Sequence, residues 1–212
     1  MKLVLVPSTL EFERLFTSER LKSWEDQAIV CRCCGVGPAA SAFFTGHWIR
    51  ECNPEMVILA GIAGIFRGSN LELGDVVCTY SDCFADLGVK QGESCRLFDP
   101  KYLPLYVKED GTKLGCVYPT LEVPSMASVA GITVSTVTGN ERGANLLREQ
   151  HQADIENMEG AAVALACSFY EKKFYQIRSG SNWVGDRDKS NWIINEALEN
   201  LNSVLQESLP NL

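Results

Sequence analysis

The sequence predicts a three-layer α/β/α domain, with helices on both faces of a central mixed, mainly parallel sheet. Three observations carry that expectation. Short apolar and β-branched runs, KLVLV (2–6), AIVCRCC (28–34) and MVILA (56–60), read as strands, and the continuous apolar run MVILA as one buried on both faces. Longer segments of helical character lie between them, the order that builds parallel pairs through crossovers. No linker, internal repeat or low-complexity stretch interrupts residues 1–212, so one domain is expected over the whole chain.

Each element follows in order. Pro7-Ser8-Thr9 stops the first strand, and a helix is expected over 10–22. The second strand ends at GVGP (35–38); Pro38 suits a first helical position, and the helix continues through AASAFFTGHWIREC to Cys52. MVILA is bounded by Pro54 and Gly61, with AGIAG (60–64) read as a turn leaving it. GDVVCTY (74–80) is a strand, and residues 81–125 read as irregular with one strand near 115–118. GITVSTVTG (131–139) is another strand. GAAVALAC (160–167) is apolar nearly all round, so the helix starting near 158 must run through the interior. FYQIRSGSN (174–182) follows as a strand. Ser190 is expected to cap a last helix to about Leu209, with Ile194, Ala197, Leu198, Leu201, Leu205 and Leu209 on one stripe.

Composition narrows the class. Apolar residues make up 46% and charged residues 22%, as in an ordinary globular protein. A formal charge of -8 argues against nucleic acid or an acidic membrane as partner. The nine cysteines are odd in number, and CRCC (31–34) lies in a strand whose alternation sends neighbouring thiols to opposite faces. With only His47 and His151 available, no metal site and no cofactor are expected, and the cysteines are read as small hydrophobes of a reduced, cytoplasmic compartment.

The residues open to chemistry fall at strand ends, where open α/β sheets bind ligands. Glu159 heads the buried helix, behind Asn157 and Met158. One reading is a helix start, with Asn157 as cap and Glu159 facing the positive end of the dipole; the other is a carboxylate held at the helix mouth to grip a polar ligand. GVGP and AGIAG, which contains Ala63 and Gly64, lack the third glycine of a dinucleotide loop and the Lys-Ser/Thr of a P-loop. Tight turns explain them equally well.

Taken in order, MKLVLVPSTLE, GVGPAASAF, PEMVILAGIAGIF…LELGDVV, TVTGN, NMEGAAVALAC and IRSGSNWVGDRD resemble the nucleoside phosphorylase/nucleosidase superfamily nearly end to end. Within it, the ending completed by Trp192 looks closest to the futalosine hydrolases. The resemblance implies cleavage of an N-glycosidic bond, releasing hypoxanthine from futalosine to give dehypoxanthinyl futalosine on the way to menaquinone. It implies a homodimer or larger assembly, with Phe98, Tyr102 and Tyr106 as candidates for closing a neighbour's site.

Roles carry over residue by residue. Glu159 would accept from the ribose hydroxyls while Met158 packs on the sugar. Glu11 would activate water, with Glu13 as the fallback. Ala63, Gly64 and Asn157 would line the substrate, and Arg187 and Asp188 would either complete the base site or form a surface ion pair. Leu59 and Ile62 stand where phosphorylases carry an arginine and a serine, which favours hydrolysis. Asn182 replaces the aspartate of adenine-cleaving relatives. An amide offers an acceptor and a donor but no proton, which suits a 6-oxopurine. The alternatives are a general purine nucleosidase, a 6-oxopurine nucleoside phosphorylase, or a nucleoside-binding protein without catalysis.

Overall fold

The computed structural model describes all 212 residues. The chain opens with β1 (Lys2–Val6), α1 (Thr9–Leu15), α2 (Ser18–Glu25), β2 (Ile29–Cys33), α3 (Pro38–Cys52), β3 (Met56–Ile65) and β4 (Val76–Phe84). Two small hairpins follow, β5 (Gly88–Gln91) with β6 (Ser94–Leu97) and β7 (Tyr106–Val107) with β8 (Lys113–Leu114), and then β9 (Val117–Pro119) and β10 (Ala127–Thr133). The chain closes with α4 (Glu141–His151), β11 (Ile155–Asn157), α5 (Gly160–Phe169), β12 (Lys173–Trp183), a 3₁₀ turn (Lys189–Asn191) and α6 (Ile194–Ser208).

The strands run in the order β11-β10-β4-β12-β3-β1-β2, with β9 added on β4. Alternation along β1 builds the layers. Val4 and Val6 pack with Leu15, Trp24, Leu198, Leu201 and Leu205 on the α1/α2/α6 side. Leu3 and Leu5 pack with Ile49 and Ala161 to Ala164 on the α3/α5 side. The sheet is not simply open. β11 pairs in parallel with β10 and antiparallel with the end of β3, so β3, β12, β4, β10 and β11 close into a ring.

Several boundaries differ from expectation. The helix expected at 10–22 is two, because Phe16 is extended and Thr17 accepts from the Arg20 amide (3.3 Å) to start a second one. AGIAG is not a turn: β3 runs through it to Ile65, paired with β12 along its length. β4 continues to Phe84 inside the stretch read as irregular, and β10 begins and ends early. Residues 141–151, capped by Asn140, form a helix the sequence reading passed over. Asp188, rather than Ser190, caps the turn before α6, which begins at Ile194.

Candidate active site

The carboxyl ends of β1, β3, β11 and β12 meet at a cavity of about 260 Å³, at the small end of ligand pockets. Pro7, Ser8 and Glu11 line one end; Ile62, Ala63 and Gly64 form a floor; Asn157, Met158, Glu159 and Asn182 border it, with Arg187 and Trp192 at the rim. Eight of the nine residues expected to act thus share one cavity. Asp188 does not: it is exposed, and its carboxylate accepts from the amide (3.0 Å) and hydroxyl (2.7 Å) of Ser190. Arg187 stacks over Trp192 with 5.0 Å to the ring centroid, so the expected pair is split between two tasks.

Glu11 is placed by a capping box. Ser8, two residues past the end of β1, caps α1 and accepts from the Glu11 amide, while Glu11 Oε2 accepts from the Ser8 amide (3.0 Å) and hydroxyl (2.6 Å). Oε1 accepts from the Ile62 amide (3.1 Å) and keeps a lone pair for a ligand. Burial raises the carboxyl above its usual range; the Ser8 and Ile62 bonds and the charge of Arg178 oppose this. A buried base with a raised pKa is suited to taking a proton from water near neutral pH. Glu13 is exposed and does not line the cavity.

Glu159 is gripped on both oxygens. Oε1 accepts from the Gly37 amide (3.1 Å), and Oε2 from Arg178 Nη2 (3.2 Å). The GVGP turn therefore presents its N–H to a protein carboxylate: Gly37 sits at φ 84°, which aims that amide off the start of α3 toward Glu159. Each oxygen retains a lone pair, enough for a vicinal diol. Glu159→Gln should lower kcat/KM by about 2–3 kcal/mol in transition-state terms with the fold intact, read by steady-state kinetics beside a melting curve. Near-normal turnover would leave Glu159 as a helix-start group only.

Arg178 is the residue the sequence reading missed. It is fully buried in β12 and donates to the Ile62 carbonyl (3.2 Å), Asn157 Oδ1 (3.1 Å) and Glu159. A Cβ on Gly61 would come within 2.7 Å of Arg178 Nη1 and 2.8 Å of Glu11 Oε1, so the bare glycine is what lets both groups converge there. The available signal was a charged residue inside an otherwise apolar, two-sided strand, which must have a partner.

Asn157 lines the cavity but its amide is fully committed. Nδ2 donates to Asp82 (2.7 Å) and the Ile132 carbonyl (2.9 Å), while Oδ1 accepts from the Glu159 (2.9 Å) and Gly160 (2.6 Å) amides and from Arg178. Its bonds to the Glu159 and Gly160 amides tie it to the start of α5, which it caps from two residues ahead of Glu159. Asn182 reaches the cavity through a bulge between Gly180 and Asn182. Its Oδ1 accepts from Ser181 (2.8 Å) and its Nδ2 donates to the Trp183 carbonyl (3.1 Å), leaving one acceptor and one donor site unused.

The would-be phosphate positions are apolar. Leu59 faces the α3/α5 core, and Ile62 offers only its backbone. Arg67 stacks on Trp183 and Arg32 on Trp48, neither in the cavity. Phe98, Tyr102 and Tyr106 lie outside it too; Tyr102 is 77% exposed.

An α/β sheet with this carboxylate pair at its strand ends defines the class, and comparison agrees. Residues 11–210 match the phosphorylase superfamily family model, and the chain belongs to that superfamily. It is similar to the futalosine hydrolase of Streptomyces coelicolor, 33% identical over 188 residues covering 83% of this chain and 76% of the relative. The futalosine hydrolase of Thermus thermophilus is 30% identical, with 79% and 75% covered. The fold matches that of a futalosine hydrolase mutant of Helicobacter pylori with a TM-score of 0.76, over 100% of this chain and 99% of the other, at 14% identity.

Proposed function

We propose that the protein is a purine nucleoside N-glycosyl hydrolase that takes futalosine, releasing hypoxanthine and leaving dehypoxanthinyl futalosine for menaquinone biosynthesis. The observation that carries the reading is Glu11 and Glu159 buried on one cavity, with Arg178 behind both. Glu159 holds the ribose hydroxyls, and those charge-assisted bonds strengthen as the anomeric carbon becomes oxocarbenium-like. Water on Glu11 Oε1 adds its oxygen to that carbon as the bond to the base breaks. Glu11 takes one proton, and the base leaves with the bonding electrons and is then protonated. Asn182 meets the departing base with its free acceptor and donor. The identity of the relatives supports the substrate.

Base release is expected to proceed at full rate without phosphate and to give free sugar, because an aliphatic side chain stands at each would-be anion position. Incubation with futalosine, inosine, adenosine and methylthioadenosine, with and without phosphate, tests this. Ribose 1-phosphate as product, or turnover proportional to phosphate, would replace the reading by a phosphorylase.

We read the working state as a homo-oligomer. Phe43 and Phe44 on α3 are 70% and 41% exposed, and Tyr106 stacks on Phe169 beside an all-apolar hollow that includes Ala42. No helix is long and apolar enough to cross a membrane; a cytoplasmic location remains part of the proposal.

A further inference from the structure

Asp82 of β4 takes no step in the reaction and does not line the cavity, yet it is a fully buried acid with no ion-pair partner. Burying a carboxylate in this way costs stability unless donors surround it. Three do. Thr133 Oγ1 donates to Oδ1 (2.8 Å), and Asn157 Nδ2 (2.7 Å) and Gln176 Nε2 (3.0 Å) donate to Oδ2. Two glycines leave room for it: a Cβ on Gly160 would stand 2.2 Å from Oδ2, and one on Gly131 2.8 Å from it.

Two of these donors face the start of α5 with their other atoms. The first amides of a helix need acceptors from outside it, and Glu159 at the head of α5 supplies none from its side chain. Asn157 Oδ1 accepts from the Glu159 (2.9 Å) and Gly160 (2.6 Å) amides, and Thr133 Oγ1 accepts from the Ala161 amide (2.8 Å). Asn157 Oδ1 also accepts from Arg178 Nη2 (3.1 Å), the same nitrogen that donates to Glu159 Oε2 (3.2 Å). Asp82 therefore reaches Glu159 twice: at its backbone through Asn157, and at its carboxylate through Asn157 and Arg178.

We infer that Asp82 is a positioning residue for the sugar grip: from behind α5 it fixes the Asn157 amide and the Thr133 hydroxyl, and through them the height and angle at which Glu159 meets the ribose diol. This rests on the nucleosidase reading, and Asp82 itself touches no substrate. An asparagine can keep the anchor, with its oxygen accepting from Asn157 and Gln176 and its NH₂ donating to Thr133 Oγ1. An alanine removes the acceptor for all three donors. Asn157 Nδ2 is then held by the Ile132 carbonyl alone, and Glu159 loses the support behind it.

The test compares kcat/KM for futalosine and its 2′-deoxy form on the parent, on Asp82→Ala and on Asp82→Asn, with melting curves alongside. In Asp82→Ala, futalosine should lose roughly 10–100-fold, as a misplaced catalytic group does, and the 2′-deoxy form, which makes half of the grip, far less. Asp82→Asn should keep most of the parental preference for the diol. Equal losses on both sugars, or a parental ratio in Asp82→Ala, would make Asp82 a core residue only and overturn the inference. Should Asp82→Ala fail to fold, Thr133→Val and Thr133→Ser decide one bond away: the valine should compress the ratio and the serine restore it, and a valine with the parental ratio would overturn the inference. Calorimetric binding of 9-deazainosine and its 2′-deoxy form, C-nucleosides that cannot be cleaved, repeats the comparison without catalysis. A parent that prefers the diol in that assay but cleaves nothing sinks the hydrolase reading, while the same binding ratio on Asp82→Ala still decides Asp82. A parent with no diol preference has no grip to position, which overturns the inference.

Discussion

Glu11→Gln should lower kcat by roughly 10²–10⁴-fold, the usual contribution of a positioned general base, with KM moved far less. The substitution is gentle to the fold. Glutamine can still accept from the Ile62 amide with its oxygen, although its NH₂ then faces the Ser8 amide, so part of the capping box is lost. Removing the ability to take a proton is therefore the main change. The parent enzyme should show an acid limb with an apparent pKa above the ordinary glutamate range, because burial raises Glu11 and only the ionised form can act. Activity falls as pH drops through that value. Stability runs the other way: a group whose folded pKa is raised binds more protons folded than unfolded, so Glu11's contribution is fully present below its unfolded pKa and is lost as pH rises through the folded one. Steady-state rates and melting curves across pH 4–8 separate the two trends. A variant retaining more than a tenth of parental kcat would remove Glu11 from the mechanism.

Arg178→Met carries the largest expected effect on folding. The guanidinium is fully buried, and Glu159, Asn157 and the Ile62 carbonyl all accept from it. Deleting one partner of a buried pair costs about 3–5 kcal/mol, because the other charge is left uncompensated. For a chain of this size that is a fall in Tm on the order of 6–20 °C. A melting temperature within 2 °C of the parent would show that Gly37 alone holds Glu159.

What the sequence disclosed and what it hid follow from the range of the interactions. Glu159, Asn182 and the buried character of α5 are local: a small-residue helix headed by a carboxylate and an amide in a strand-end motif are visible without knowing what lies opposite. The Ser8-to-Glu11 box was equally local, a Ser-x-x-Glu signature that explains why Glu11 rather than Glu13 turns inward. Arg178 and Asp82 become meaningful only through pairing. Asp82 fell in a segment read as irregular, and it accepts from Thr133, Asn157 and Gln176, residues 51 to 94 positions away. AGIAG misled because glycine suggested a turn. In the fold, Gly61 is the clearance that Glu11 and Arg178 need, and the strand continues because β12 pairs with it.

The grip on Glu159 has a consequence for how activity can be lost. Gly37 lies 122 residues from Glu159, Ile62 lies 51 from Glu11, and Arg178 lies 116 from Ile62. None of these contacts can form until distant stretches of polypeptide have met, so nothing resembling a weak site exists in an isolated fragment or a half-assembled chain. Catalysis should therefore report complete folding: during refolding, turnover should appear with the slowest phase rather than with early helix formation.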